Sequence, residues 1–386
     1  MELSKKPLWL VGFRPFFILA FISGLAMPII WAFVLDGTIT VPDHPFSSVQ
    51  WHAHEMFFGF GMAVLSGFLL TATKNWVKIR GFFGWPLVFL ALAWILERFA
   101  IYYAGAWPNL IFLFFNYLFL GTFLVMILWT LIVHRKTDTF GNNFYFILIL
   151  PILIAAKYFI LSPDNFKLGA SLCVGIFRMA FLIMLERTLT QFMKNVFQVN
   201  ILRSAGLDRA IKVLGFALIF EALMPTGIAA FIFLALALLL AYRFIYWHPS
   251  LAFTRLDIGI MYLGYLALTV QLFIEFLIKQ FGIHFVGTIS VHLFTFGVMG
   301  FIIPAMLIRI SNGHTGRKVM FSIYDKLVLW IMILGFAIRI FATQYFVSHY
   351  VVAILAAAIC WLLAFSILAF RYVPILLRPR TDGRDH

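Results

Sequence analysis

His52-Ala53-His54-Glu55-Met56-Phe57-Phe58-Gly59-Phe60-Gly61-Met62-Ala63-Val64-Leu65-Ser66-Gly67-Phe68-Leu69-Leu70-Thr71-Ala72-Thr73 opens with two imidazoles and a carboxylate, then runs without a charge to Lys74. A hydrocarbon core about 30 Å thick takes about 20 apolar residues of helix to cross, and this stretch supplies them. It therefore reads as a membrane-spanning helix with an ionisable cluster at its mouth. Ionisable groups at membrane depth are costly and are tolerated mainly where they face a protein interior or a cavity and carry function.

Working outward, the 386-residue chain is 63% hydrophobic and only 11% charged, which removes it from the soluble class. Runs of comparable length occupy residues 14–35, 52–73, 84–104, 109–133, 144–162, 168–190, 209–224, 226–245, 258–281, 287–310, 325–346 and 349–371. The predicted fold is all-α, a polytopic integral membrane bundle of about twelve transmembrane helices. Residues 1–386 form one transmembrane domain, with helices 1–6 in 14–190, a cytoplasmic connection at 191–208, helices 7–12 in 209–371 and a basic tail at 372–386. No repeat relates the two halves, so an inverted-repeat transporter is not indicated.

A net charge of +14 would suggest nucleic acid in a soluble protein. Here 23 of the 29 basic residues fall in the two tails and the even-numbered connections. That is the positive-inside pattern with both termini cytoplasmic, so the partner of the surface is membrane lipid and nucleic acid is excluded. Lys5, Lys6, Arg14 and Arg384 belong to the tails, whereas Asp36, Pro42 and Asp43 fall in an outer loop. Cys173 and Cys360 lie within predicted helices without paired spacing, so they read as buried thiols. The first span lacks a small-residue cleavage pattern and is expected to stay in the mature protein.

Charges inside the spans recur at one depth. Glu97, Arg98, Lys157, Glu275, His292 and Arg339 lie near outer helix ends, with Arg178 somewhat deeper. At about 1.5 Å per residue the first six sit about 7 to 11 Å below the outer surface, level with His52, His54 and Glu55. In a regular helix His52 and His54 point about 200° apart and do not share one metal. Either one is a ligand and the other structural, or they serve neighbouring centres, or both are interfacial histidines bonded to loop carbonyls. Glu55 is placed to orient His52 one turn away, or to pair with Arg98, Lys157, Arg178 or Arg339. Gly59 and Gly61 fall seven residues after His52 and His54, on the same faces, and give another helix or a flat ligand room.

The second candidate ligand is His292, with Thr295, Phe296 and Met299 at three, four and seven residues beyond it. Such a face suits a porphyrin or a Cu(I) ion, although a Met and Phe stripe is commonly packing alone. Three glutamates, Glu55, Glu97 and Glu275, stand against four cations, Arg98, Lys157, Arg178 and Arg339. Surplus guanidinium would pair with haem propionates; internal salt bridging is the alternative. His54 and His292 lead as metal or haem ligands, with His52 and Met299 behind them and Arg98 and Arg339 as cofactor contacts. Asn312-Gly313-His314-Thr315-Gly316-Arg317 is a helix exit, where His314 has a capping role too far from the outer cluster to share its metal.

Arg14-Pro15-Phe16-Phe17, Trp51 to Met56 with Gly59-Phe60, Ser66 to Ala72, Asn75-Trp76, Gly84-Trp85-Pro86, His292 with Gly297-Val298-Met299-Gly300, and Gly313 to Arg317 together resemble the NnrS family. The resemblance covers helices 1 to 3 and 10 to 11. It implies a bacterial inner-membrane protein of twelve helices that contains haem and copper and takes part in the response to nitric oxide. Three functions follow as expectations. The first is a haem and copper protein that protects against, senses or processes nitric oxide, a small gas ligand. The second is a proton-coupled secondary transporter using Glu55, Glu97, Arg98 and Glu275. The third is a haem redox protein served by a respiratory electron donor. A haem-copper oxidase is disfavoured because the chain has no adjacent histidine pair.

Overall fold

The computed structural model describes residues 6–39 and 45–383, so Lys5, Pro42, Asp43 and Arg384 lie outside the described residues. Eleven continuous helices are long and apolar enough to cross a membrane. They are α1 (Phe13–Asp36), α2 (Ser48–Trp76), α3 (Trp85–Tyr102), α4 (Asn109–Val133), α5 (Gly141–Leu161) and α6 (Phe166–Phe197), followed by α8 (Thr226–Ile245), α9 (Leu256–Phe281), α10 (Ile289–Gly313), α11 (Ile323–Tyr345) and α12 (Val347–Leu377). No strand occurs among the described residues.

The predicted seventh span is the exception, and it is split. α7 consists of an α-helical piece, Ala205–Ala217, continued by a 3₁₀ piece, Leu218–Leu223. At rises of about 1.5 and 2.0 Å per residue the two together reach about 31 Å. Its ends are tied to three neighbouring spans. Asp208 bonds Arg243 at the end of α8, while Glu221 bonds Ser171 at the start of α6 at 2.5 Å and Lys279 at the end of α9 at 2.6 Å. Arg14, at the start of α1, donates to the carbonyls of Leu376 and Arg378 at the end of α12, both at 2.6 Å. The start of α1 and the end of α12 therefore meet, which is consistent with an even number of crossings in which α7 would be the twelfth.

The sequence reading expects a connection with an interfacial helical piece at 191–208, and α6 continues through its first part to Phe197. The extension is held by ion pairs: buried Glu186 accepts from Arg203 at 2.8 Å and from Lys212 at 2.7 Å, and Asp208 accepts from Arg203 at 2.9 Å. Basic residues that served as orientation signals are here partners of two carboxylates.

The chain divides into two compact units, one of Met1–Gly169, Leu307–Met320 and Phe365–His386, the other of Ala170–Met306 and Phe321–Ala364. In the first, α1 packs on α2 where Gly67 faces Phe16 and Phe17, and Gly24 faces Phe365. Ser47 and Gln50 form a capping box at the start of α2, a device worth about 0.5–2 kcal/mol, and Gln50 also donates to the Ile160 carbonyl of α5 at 3.2 Å. In the second unit Gly264 of α9 meets Ile302 of α10, and Gly335 of α11 meets Phe296 and Cys360.

Three spans lose regular α geometry. Glu55–Gly61 in α2, Leu293–Met299 in α10 and Ile338–Ala342 in α11 are π-helical. Such segments are rare and recur at functional sites. Each begins at or contains a residue singled out in the sequence: the first follows His54, the second follows His292, and the third holds Arg339.

Candidate functional site

The π segment of α2 determines what its ionisable residues meet. His54 is fully buried, with Nδ1 3.1 Å from Glu55 Oε1 and Nε2 3.5 Å from Glu97 Oε1 of α3. Arg98 reaches Glu55 Oε2 at 3.2 Å and Glu97 Oε1 at 2.6 Å. Lys157 of α5 donates to the same Glu97 oxygen and to the backbone carbonyl of Asn116 in α4. Two carboxylates thus face one guanidinium and one ammonium, so the cluster is neutral when the imidazole is neutral. No surplus positive charge remains in it for a propionate.

Of the partners open to Glu55 in the sequence, the structure gives it Arg98, and it adds the adjacent His54. His52 instead stacks on Trp31 of α1, with ring centroids 4.3 Å apart and planes at 18°. The widened i→i+5 turn also takes Gly59 and Gly61 off the histidine faces that a regular helix would give them. Gly59 serves the cluster directly. A Cβ there would meet the Arg98 guanidinium and the Glu55 carboxylate, and its carbonyl accepts from Trp94 at 3.1 Å.

A second polar group lies in the other unit. His292 Nδ1 is 2.9 Å from the Thr288 carbonyl, 3.0 Å from the Thr288 hydroxyl and 3.2 Å from an Arg339 nitrogen. A carbonyl only accepts and a guanidinium only donates. The carbonyl contact and the guanidinium contact therefore require opposite protonation of Nδ1, so only one of them is a hydrogen bond at a time. Phe296 packs edge-on against Trp361 at 5.0 Å, and Met299 is buried. Because 293–299 is π-helical, Thr295, Phe296 and Met299 do not form the single face with His292 that α spacing predicts.

Arg178 donates to Gln271 Oε1 at 3.3 Å and to the Leu218 carbonyl at 3.1 Å, and lies 5.1 Å over the Phe233 ring. Gln271 donates to Ser290 at 3.1 Å, and Ser290 donates to Glu275. Lys279 closes the row on Glu221. Sequence reasoning missed Gln271, Ser290, Glu221 and Asn116. The spacing of Gln271, Glu275 and Lys279, four residues apart on one face of α9, was the available signal.

His314 sits one residue past α10. Its N–H donates to the Ile310 carbonyl at 2.9 Å, its carbonyl accepts from Arg380 at 3.1 Å, and its ring lies 5.6 Å from Phe13. Burial, with the charges of Lys74 and Arg380, pushes its pKa down to about 4.

A sequence profile described as NnrS protein matches residues 7–380. The chain belongs to the NnrS family. No curated protein matches it in sequence. Membership of the NnrS family supports a role in the nitric oxide response, in a multi-pass membrane protein.

Haem and copper, which the family resemblance implies, can be tested against these residues. Among the described residues no three or more His, Cys, Asp or Glu side chains gather as a metal site, so a chelating copper site of that composition does not fit. His54 has a carboxylate at each ring nitrogen. His292 is the other candidate: its ring is held at Nδ1 by the Thr288 carbonyl and hydroxyl rather than by a carboxylate.

Proposed function

We propose that this NnrS protein acts in the nitric oxide response by binding the gas at a haem held in the membrane through His292. The observation that supports the reading is the Thr288–His292–Arg339 arrangement at the start of a π segment. Haem, when bound, would supply an iron position open to a diatomic gas. The chain's own residues do the rest. Thr288 fixes the imidazole plane through its carbonyl, and Arg339, with a nitrogen 3.2 Å from the His292 ring and a hydrogen bond to Tyr350, would provide the charge that a haem carboxylate pairs with. A small uncharged gas reaches such a site through lipid. Copper is given no ligand set here, and no step is assigned to it. The proposed location is the bacterial inner membrane with both termini cytoplasmic.

The optical spectrum of the purified protein tests this. A Soret band that shifts with nitric oxide and is lost in His292→Ala, but persists in His54→Ala, is expected. A wild-type protein without a Soret band, or loss in His54→Ala alone, refutes it. One observation favours a second reading, proton-coupled transport: the buried His54, Glu55, Glu97, Arg98 and Lys157 cluster. Solute uptake driven by a pH gradient in vesicles, by a protein without haem, would move the weight there.

A further inference from the structure

The Asn312 to Arg317 exit loop is not used by the nitric oxide reading, yet it is the centre of a second construction. Three distant segments meet there. Thr381 donates its backbone N–H to the Thr315 carbonyl at 3.0 Å, Arg380 donates to the His314 carbonyl, and Arg317 donates to the Thr315 hydroxyl at 2.8 Å. Gly316 has φ +80°, and a Cβ on it would strike Asp382, so the loop and the C-terminal segment are fitted to each other. The third segment is the end of α2, where Gly81, at φ +79°, folds the chain back onto Lys74.

This brings together Lys74, Arg80, Arg317 and Arg380. Lys74 lies within electrostatic reach of Arg80 and Arg380, and Arg14 within reach of Arg317 and Arg380. The carboxylate recorded against them among the described residues is Asp382, already paired with Arg380 at 2.6 and 2.8 Å. Orientation in the membrane needs basic residues on one side, but it does not need them converging from three segments. Convergence costs mutual repulsion, which a bound anion relieves. Lys74 stands in the last turn of α2, Arg317 just past α10 and Arg380 just past α12, all at helix ends and hence at headgroup depth.

We propose that Lys74, Arg80, Arg317 and Arg380 form a binding site for the phosphate headgroup of an anionic phospholipid, on the membrane face that carries both termini. Guanidinium and ammonium groups at a helix rim recognise phosphate by charge-assisted hydrogen bonds. Each basic residue near an anionic surface strengthens binding by roughly fivefold.

The test is native mass spectrometry of the full chain in detergent, titrated with phosphatidylglycerol or phosphatidylcholine. Wild type should prefer phosphatidylglycerol, and Lys74→Gln with Arg317→Gln should weaken that binding by about 30-fold. Lys194→Gln, an exposed change at the end of α6, should leave it unaltered. If the double variant is poorly retained, Arg80→Gln, whose side chain is exposed, should give about a fivefold loss. Equal affinity for the two lipids, or an equal loss in Lys194→Gln, overturns the proposal. Competition by inorganic phosphate at the concentration of the lipid also overturns it, in favour of a soluble anion.

Discussion

Replacing Glu97 by Gln probes the buried cluster most directly. The carboxylate is fully buried and one of its oxygens takes Lys157, Arg98 at 2.6 Å and His54 at 3.5 Å. At an effective dielectric of 20, a unit pair 2.6 Å apart attracts by about 6 kcal/mol. Desolvation offsets part of this, and removing one partner of a buried pair typically costs about 3–5 kcal/mol, because the other charge is left buried. In Glu97→Gln the cations Arg98 and Lys157 face only Glu55, so the loss should fall in that range. Lys157→Met in the same chain restores the charge balance and should recover most of it, a coupling of at least about 2 kcal/mol. The pair Arg255–Asp257, 3.1 Å apart, joins a buried carboxylate to a guanidinium that is 48% exposed and is the comparison; Asp257→Asn leaves a cation that water can solvate and should cost about 1 kcal/mol. Thermal unfolding of the detergent-solubilised chain, followed by size-exclusion fluorescence, measures these three variants and Lys157→Met alone, which completes the cycle. A Glu97→Gln loss no larger than that of Asp257→Asn, or a Lys157→Met change that adds to the loss instead of cancelling it, would refute the argument.

Gly169→Ala should destabilise by about 1–3 kcal/mol, since a Cβ there lies 2.6 Å from the Phe159 backbone, which cannot swing aside; a thermal midpoint equal to wild type would contradict the close α5–α6 approach. A topology reporter inserted between Met224 and Pro225 should appear on the face opposite both termini; appearance on the same face would remove α7 from the crossings. His314, lowered from 6.5 to about 4, stays neutral in the native chain while its unfolded form takes up a proton. The docking of its loop is thus at full strength above about 6.5 and weakens as pH falls through that window. Imidazole NMR should show this low value, and titration near 6.5 would disprove it.

The apolar runs and the scarcity of charge decided the fold class and the spans, because length and hydropathy act residue by residue along a chain. The site was legible only as a set of members. His54, Glu55, Glu97, Arg98 and Lys157 were each singled out at one depth, and Arg98 was among the partners open to Glu55, but which of the alternatives each carboxylate takes was not decided. Helix-face arithmetic also put Met299 beneath His292, a register that the π turn at 293–299 changes. A π turn is set by what packs around it and leaves no period in the sequence. Likewise Glu186 and Asp208 drew Arg203, Lys212 and Arg243 into a lock that lengthened α6, and Glu221 carried α7 across as a broken helix. Pairing between charges far apart in the chain is a tertiary property, so only the folded structure could settle which cation each carboxylate keeps.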